Sequence, residues 1–394
     1  MLIWCFARRC GIQLEPEGDV DERFTRVRDS FLNGFTAGRE VGASVAVVVN
    51  DELVVDLWSG YRDRRKSHPW TKNTLCCMFS MTKAMSALCV LQAIADGLLD
   101  LDKTVDHYWP EFAVNGKSRT TVRHVLSHRA GLIGFHEPVD KDIYYDWTRV
   151  VQALAAEEPW WTPGEQHGYH ARTFGYLLGE LLLRVSGKNI GPWFAEHLAQ
   201  PNSLDFFVGL EKSEIERCAD MLPARVRPGE EKEWPPAMRE MLNDYYDKDT
   251  PTGAAFQNPS FGAGYMNSEQ FRRAEMPAMN GHGTARSVAR LYSMIDRILP
   301  ADLLREALTT HSVGPDVVLK SVTHFGLGFM LHHPDAPICI RPGSFGHAGA
   351  GGSMAFYDPA AKLGFCYVMN QMQEGVVTGG ISATEVAEAT YACL

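Results

Sequence analysis

The 394-residue sequence lacks features typical of membrane and nucleic-acid-binding proteins. It has no apolar run of the about eighteen residues that a membrane-spanning helix requires. Lys and Arg number 38 against 48 Asp and Glu, which gives a net charge of −10. Because no basic stripe interrupts this acidic excess, we expect neither a nucleic-acid partner nor an anionic-membrane partner. A small neutral substrate remains compatible with the charge.

The cysteines lack the pattern of a disulfide framework or a metal cluster. There are nine, an odd number, and Cys76 and Cys77 are adjacent rather than spaced as zinc ligands are. Near the start, only Leu2–Phe6 is an apolar run, and Arg8 and Arg9 follow it, which reverses the order of a secretory signal. We therefore expect a cytoplasmic protein with reduced thiols, no metal and no cofactor.

Two common glycine-containing catalytic motifs are also missing. The glycine-dense stretch at 345–353 has no Lys-Ser/Thr after it, as a phosphate loop would, and its Gly351–Ala355 portion is not a Gly-x-Ser-x-Gly elbow. Such a stretch predicts a turn or strand edge where a substrate can approach backbone N–H groups closely. Internal repeats and low-complexity tracts are absent as well.

Apolar patterning places strands at both ends of the chain and helices in the middle. Residues 43–49 and 53–58 flank Asn50-Asp51 and predict a hairpin. Near the other end, the strand-like runs are 325–331, 353–357 and 363–369. Helical spacing marks the following residues: Val20, Phe24, Val27 and Phe31; Phe174, Leu177, Leu178, Leu181, Leu182 and Val185; Val288, Leu291, Ile295 and Ile298.

These patterns predict an α/β fold of the α+β type. An antiparallel sheet from the N- and C-terminal segments would be flanked by helices, with a mainly helical region inserted. The expected domains are 1–115 plus 285–394 for the sheet and 116–284 for the helical part. Within the latter, 212–283 is rich in Pro, Gly, Asn and Asp and includes the polar run 230–233, which predicts an irregular, lid-like segment.

The tetrapeptide Ser80-Met81-Thr82-Lys83 stands at the start of an apolar helical stretch, 84–98. Positions i and i+3 of a helix share a face, with Cβ atoms roughly 5–6 Å apart. The partial positive charge at a helix N-terminus favours an oxyanion and biases Lys83 toward its neutral amine. A serine nucleophile with an adjacent base needs this arrangement, although the tetrapeptide alone is a weak signal.

Two further segments supply polar groups. Tyr169 lies in a turn before the helical stretch that begins near Phe174, and a nearby ammonium would make its phenol a useful base by favouring the phenolate. A half-buried tyrosine that anchors the turn is the alternative. The glycine-dense segment after His347 could donate a second hydrogen bond to an oxyanion.

These three pieces, in this order, resemble the serine β-lactamase and penicillin-recognising superfamily, in particular class C β-lactamases and family VIII carboxylesterases. The resemblance covers most of the chain. Ser80-Met81-Thr82-Lys83 corresponds to the family's Ser-x-x-Lys, Tyr169-His170-Ala171 falls where it has Tyr-x-Asn, and His347-Ala348-Gly349 falls where it has Lys-Thr-Gly.

The resemblance implies an acyl-serine mechanism. Ser80 would be acylated, Lys83 and Tyr169 would share the proton transfers, and the Ser80 and Ala350 N–H groups would form the oxyanion hole. Water would then release the acyl group. The implied substrate-binding residues are His347, Gly349 and Ala350.

Two departures from the family pattern bear on the substrate. Ala171 cannot hydrogen-bond an amide side chain as the family's Asn does, and His347 carries little charge at pH 7 where the family has Lys. Anionic β-lactams lose two anchors, so the sequence favours esters of small neutral substrates, with at most weak β-lactam hydrolysis. A β-lactamase, a D-aminopeptidase or amidase, an acyltransferase and a non-catalytic scaffold remain alternatives. Acyl-chain length, alcohol, stereochemistry and oligomeric state stay open.

Other polar and aromatic residues have structural interpretations. His124 and His128 stand four apart, but no carboxylate ligand is near, so capping or packing is favoured over zinc. Thr284 is expected to cap a helix. Three tryptophans either wall an acyl pocket or pack in the core: Trp147, Trp160 and Trp161.

Overall fold

The structure is a computed structural model that describes residues 15–225, 235–262, 264–335, 341–373 and 379–394. The apolar run Leu2–Phe6 and the polar run 230–233 lie outside these residues. The strands are β1 (Glu17–Val20), β2 (Gly42–Val49), β3 (Glu52–Gly60), β4 (Cys76–Cys77), β5 (Phe206–Val208), β6 (Gly281–Gly283), β7 (Ser312–Pro315), β8 (Val322–Phe325), β9 (Met330–Leu331), β10 (Phe345–Ala348), β11 (Met354–Asp358) and β12 (Leu363–Met369).

Helices precede, interrupt and follow these strands. They are α1 (Thr25–Thr36), α2 (Thr82–Ala95), α3 (Val105–Tyr108), α4 (Val122–Leu126), α5 (Trp147–Ala156), α6 (Thr173–Ser186), α7 (Ile190–Phe194), α8 (Gln200–Asn202), α9 (Pro236–Tyr245), α10 (Pro251–Gln257), α11 (Glu269–Arg273), α12 (Ala285–Ser293), α13 (Ile295–Ile298), α14 (Ala301–Ala307) and α15 (Ile381–Tyr391). None of them, in the part of the chain that is described, combines the length and apolar character that a bilayer crossing requires.

The main sheet is antiparallel and joins the two ends of the chain, as predicted. Its order is β1-β3-β2-β12-β11-β10-β9-β8-β7, and the two halves meet where β2 pairs with β12, with Val45 opposite Tyr367. Asn50 and Asp51 turn the β2–β3 hairpin with φ of 49° and 68°, the left-handed conformation that a tight hairpin favours. A small second sheet has the order β4-β6-β5.

Alternation along the central strands divides the interior into two cores. Successive side chains of a strand point to opposite faces, so Ala46 and Val48 of β2 join one core while Val45 and Val47 join the other. Helices α12 and α2 cover the first face, and α1 and α15 cover the second. The predicted helices at 174–185 and 288–298 are confirmed as α6 and as α12 with α13.

Helix α2 is buried around almost its whole circumference, which agrees with its apolar sequence. It packs against α6 and α7, and Thr82 at its start accepts a hydrogen bond from Gly281 N of the small sheet. Gly328 follows β8 in the left-handed region, with φ of 81°, and a Cβ there would collide with Ala87 of α2. The turn between β8 and β9 therefore packs directly against α2, the helix that follows Ser80.

Three sequence expectations differ from the structure. Val20 ends strand β1 rather than beginning a helix, and the single strand expected at 325–331 is split into β8 and β9 by a turn. The segment 212–283 is more regular than predicted, since it contains α9, α10 and α11. Its Pro, Thr and Ser residues mark helix starts: Pro236 and Pro251 occupy first-turn positions, and Thr250 and Ser268 are N-caps.

Candidate active site

Ser80 lies in a short 3-10 turn, Phe79–Met81, that leads directly into α2. Phe79 has φ of 46°, a conformation that costs a non-glycine residue about 1–3 kcal/mol and that clusters at functional sites. The small sheet holds the turn: Met78 N donates to Gly281 O at 2.8 Å, and Thr82 Oγ1 accepts from Gly281 N at 2.8 Å. Ser80 is thereby kept half-buried at the helix start.

Lys83 is fully buried and makes three polar contacts. Its Nζ donates to Ala171 O at 2.7 Å and to Ala278 O at 2.9 Å, and it lies 3.3 Å from Ser80 Oγ. Burial lowers the pKa of Lys83 well below its usual range. A neutral amine has two N–H bonds and one lone pair, so the two carbonyls take the hydrogens and the lone pair is left for the Ser80 hydroxyl. The neutral amine was expected from the sequence, but desolvation rather than the helix terminus is its main cause.

Tyr169 lies beside this pair. Lys83 Nζ is 4.6 Å from the centre of the Tyr169 ring, and the phenol oxygen is buried with the Ser80 hydroxyl as a polar neighbour. Burial raises the pKa of Tyr169, and the nearby Ser80 hydroxyl lowers it by a smaller amount. The ammonium-stabilised phenolate expected from the sequence is therefore disfavoured, because burial disfavours both the Lys83 ammonium and the Tyr169 phenolate. A neutral phenol next to Ser80 can instead donate and pass on a proton.

Asp316 positions Tyr169, and the sequence analysis missed it. Its Oδ1 accepts hydrogen bonds from the backbone N–H groups of Tyr169 at 3.0 Å and of Val318 and Leu319 at 2.9 Å. Thr323 Oγ1 donates to Oδ2 at 3.2 Å. Burial raises the pKa of this carboxyl group, whereas the backbone hydrogen bonds lower it. The local bonds to Val318 and Leu319 form a turn that gives no sign of the contact with Tyr169, which lies 147 residues away in the sequence.

The histidines near Tyr169 have structural roles, as favoured from the sequence. His128 stacks on Phe174 with ring centres 4.6 Å apart, and its Nδ1 accepts from His170 N at 3.1 Å. His124 completes a capping box with Thr121 at the start of α4. Across the described ranges, no group of three or more His, Cys, Asp or Glu side chains is arranged to hold a metal ion.

His347 of β10 faces the same buried region. Its Nδ1 lies 2.7 Å from Ala348 O, which assigns the proton to Nδ1, and its buried Nε2 is an acceptor without a partner among the described residues. Its ring centre is 6.1 Å from that of Tyr169. Burial lowers the pKa of His347 to about 3, with a further contribution from Lys83. The imidazole is therefore neutral, in agreement with the sequence expectation of little charge.

The end of β10 brings a backbone N–H group toward Ser80. A Cβ on Gly349 would collide with Met78 O and Ser353 Oγ, so glycine is required for this strand to approach the Ser80 turn. The half-buried Ala350 follows, and no described carbonyl accepts a hydrogen bond from its N–H. This N–H group, like the unpaired N–H groups at the start of a helix, is free to donate a hydrogen bond to a ligand.

Aromatic residues around the site mostly pack against protein. Trp161 Nε1 donates to Arg129 O at 3.3 Å, and Trp147 Nε1 donates to Glu180 Oε2 at 2.9 Å. Trp160 stacks on His136 with ring centres 4.2 Å apart. These contacts favour the core-packing interpretation over an acyl pocket.

Arg172 is a second residue that the sequence analysis missed. Its guanidinium group lies 4.6 Å from the Phe261 ring centre and donates to Phe256 O and Pro259 O. These contacts attach the 256–261 segment to the residue that directly follows Ala171. The sequence around Arg172 does not indicate this contact, because the partners are backbone oxygens about 85 residues away.

The chain is similar to known proteins over most of its length. Residues 26–387 match the family described as Beta-lactamase. The esterase/beta-lactamase LipL of Mycobacterium tuberculosis (strain ATCC 25618 / H37Rv) is 33% identical over 376 residues, covering 91% of this chain and 84% of that protein. The chain belongs to the beta-lactamase family.

Two solved structures are similar over nearly the whole chain. A family VIII carboxylesterase has 36% sequence identity and a TM-score of 0.86, covering 96% of this chain and 100% of that one. A penicillin-binding protein homolog from Caulobacter crescentus has 35% identity and a TM-score of 0.86, with the same coverage. The expected β-lactamase-like fold is therefore confirmed.

We expect Asp316→Ala to lower the free energy of unfolding by about 3 kcal/mol or more, because three buried N–H groups lose their acceptor. Denaturant unfolding measures the change. Asp302→Ala is the control: its carboxylate is exposed and paired with Arg305, so its effect should stay within about 0.5 kcal/mol. Equal stability of the two variants would contradict the role given to Asp316.

Proposed function

We propose that this protein is a serine hydrolase that cleaves carboxylic esters of small neutral substrates through an acyl-serine intermediate. The observation that carries the proposal is the buried Lys83 amine, whose two carbonyl contacts leave its lone pair for the Ser80 hydroxyl 3.3 Å away. This is the activated nucleophile that acyl transfer requires. The esterase and carboxylesterase names of the relatives support the same reaction class.

In the proposed reaction, Ser80 Oγ attacks the ester carbonyl as its proton moves to Lys83. The oxyanion is stabilised by the Ser80 and Ala350 N–H groups. The proton returns through Lys83 and the Tyr169 phenol to the departing alkoxide, so an alcohol leaves and an ester bond to Ser80 remains. Water, deprotonated by the same groups, attacks this bond and releases the carboxylic acid.

The proposed preference for neutral esters rests on the lining of the site. The Ala171 side chain offers no hydrogen bond, and the neutral His347 supplies no positive charge to a substrate carboxylate. Gly349 and Ala350 contribute backbone rather than charged groups. An anionic β-lactam would lose its hydration without gaining a countercharge. Among the alternatives, the esterase is favoured over an amidase, an acyltransferase or a scaffold.

We also propose a cytoplasmic location and the two-part division into 1–115 plus 285–394 and 116–284. The thiols support the location, since all six described cysteines are free, including the adjacent Cys76 and Cys77. The pairing of β2 with β12 supports the division, because it unites the two chain ends in one sheet.

Ser80→Ala should abolish both ester turnover and labelling by a fluorophosphonate probe. We expect kcat/KM for p-nitrophenyl acetate to fall by about 10³-fold or more, and intact-mass analysis to show no adduct. Ser67→Ala, at an exposed serine in a turn with Asp63, is the matched control and should label and turn over as wild type does. An adduct that persists in Ser80→Ala would place the nucleophile elsewhere.

Lys83→Ala and Tyr169→Phe should separate the two proton carriers. Loss of the amine should reduce kcat nearly as far as loss of Ser80, because Lys83 is the group proposed to accept the Ser80 proton. Loss of the phenol oxygen should lower kcat by about 10²–10³-fold with little change in KM. Steady-state kinetics on p-nitrophenyl butyrate measure both, and near-normal kcat in Tyr169→Phe would assign the proton transfer to another group.

Substrate preference can be measured directly. We expect kcat/KM for short-chain p-nitrophenyl esters to exceed that for nitrocefin by about 10²-fold or more, since the β-lactam carboxylate finds no partner. D-Ala-p-nitroanilide tests the amidase alternative in the same assay. Comparable values for nitrocefin and the esters would overturn the preference.

A further inference from the structure

The loop that presents the Ala350 N–H is held from behind by main-chain hydrogen bonds. Gln373 N donates to Gly351 O at 2.7 Å, and Gly380 N donates to Gly352 O at 2.9 Å. Gly351 and Gly352 have φ of 85° and 115°, a conformation that glycine adopts without strain. The position of the Ala350 donor therefore depends on Gln373.

The side chain of Gln373 is fixed in turn by a buried acid. Its Nε2 donates to Glu40 Oε1 at 2.6 Å and to Ser382 Oγ at 3.3 Å. Glu40 is 6% exposed and follows α1, where its Cγ packs closely on Gly34. A continuous chain of contacts thus leads from Glu40 through Gln373 to the loop beside Ser80.

Two atoms of this pair have no hydrogen-bond partner in the described residues. They are Glu40 Oε2 and Gln373 Oε1, both buried oxygens. Ionised carboxylate and amide oxygens are only acceptors, so two such atoms in joined side chains are unsatisfied if Glu40 is charged. One proton on Glu40 Oε2 would donate to Gln373 Oε1 and complete a two-bond acid–amide pair.

We propose that Glu40 is a positioning residue for the acyl-transfer reaction: its protonated carboxyl group pairs with Gln373 and holds the Ala350 loop in the active geometry. This inference rests on the proposed function, because it concerns the oxyanion donor of the same site. Glu40 does not touch substrate. When this proton is lost, Glu40 Oε2 and Gln373 Oε1 are both acceptors and repel each other. This repulsion displaces Gln373 and weakens the support of Gly351.

Burial of Glu40 favours the protonated form and outweighs the nearby hydroxyls of Ser382 and Tyr367, which lower its pKa by smaller amounts. From its own segment, Arg39 is nearby, but its guanidinium is paired with Glu385 of α15 at 2.5 Å. From the sheets, the Tyr367 phenol and the Cys76 thiol face it, and burial raises the pKa of both well above their usual ranges, so they are neutral. Burial raises the pKa of Glu40 to about 7. The proton is therefore lost near neutral pH.

Glu40→Gln tests the proposal, because the amide keeps a donor and an acceptor at every pH. We expect kcat of the wild type to fall above about pH 7, and the ratio of kcat in Glu40→Gln to kcat in wild type to rise from about 1 near pH 6 to about 3 or more near pH 8.5. The assay measures the hydrolysis of one ester substrate at each pH, after the rate without enzyme has been subtracted. If Glu40→Gln does not fold, Gln373→Ala replaces it and should lack the same alkaline change in kcat.

Glu275→Gln is a matched control. Glu275 is a second largely buried acid, and burial raises its pKa to about 7, but its Oε1 accepts from Gly191 N at 2.8 Å, away from the Ala350 loop. For both acids the folded form holds its proton more tightly than the unfolded chain does. Their stabilising contribution is present below about pH 4.5 and is lost as pH rises through about 7. The thermal stability of both variants relative to wild type should therefore increase as pH rises from about 4.5 to about 7. Only Glu40→Gln should change the pH profile of kcat.

The outcomes separate this proposal from the proposed function. If Ser80 is neither labelled nor active, the proposed function fails, and the coupling to Glu40 fails with it. If turnover is retained and the kcat profiles of wild type and Glu40→Gln coincide, only the coupling is overturned. A kcat profile that Glu275→Gln alters equally would also overturn it, because the effect would then follow overall stability.

Discussion

The Lys83 amine has exchanged water for three protein oxygens, and the remaining chemistry depends on that exchange. An ammonium ion with no carboxylate partner is costly to bury, whereas an amine with two carbonyl acceptors is not. The carbonyls of Ala171 and Ala278 therefore do more than fix the side chain. They use both hydrogens and aim the lone pair at the Ser80 hydroxyl.

Three separate parts of the chain must meet for this contact to exist. The start of α2 and the turn before it supply Lys83 and Ser80, the turn before α6 supplies Ala171 and Tyr169, and the segment before β6 supplies Ala278. The main sheet adds β10, which approaches the Ser80 turn only because residue 349 has no side chain. The fold thus places the proposed base by helix geometry and the proposed oxyanion donor by strand geometry.

The sequence predicts those parts of the site that have a local signal. Helical spacing relates Ser80 to Lys83, and a glycine-dense strand end marks Gly349 and Ala350. It does not reveal that Asp316 binds the backbone of Tyr169 or that Arg172 binds that of Pro259, because each of these partners is distant in the chain. It also misjudges Tyr169, because the sign of a pKa shift depends on burial, which periodicity around a turn does not give.

The same limit applies to the fold. The hairpin and the long helices follow from periodicity and turn residues, which act over a few residues. Segment 212–283 looked irregular because Pro, Thr and Ser are common in loops and at helix starts alike. Only the tertiary contacts of α9, α10 and α11 decide between the two, and these contacts are not encoded in any short window.

Neutrality is the common property of the groups around Ser80. Burial favours the uncharged forms of Lys83, Tyr169 and His347 alike. The charge that develops during acyl transfer is then the oxyanion itself, and it meets fixed N–H dipoles in a region of low polarity, where such dipoles stabilise charge most strongly. A substrate that already carries a negative charge would compete for those dipoles before the reaction begins. A neutral ester would leave them free for the transition state, which is the physical basis of the proposed preference.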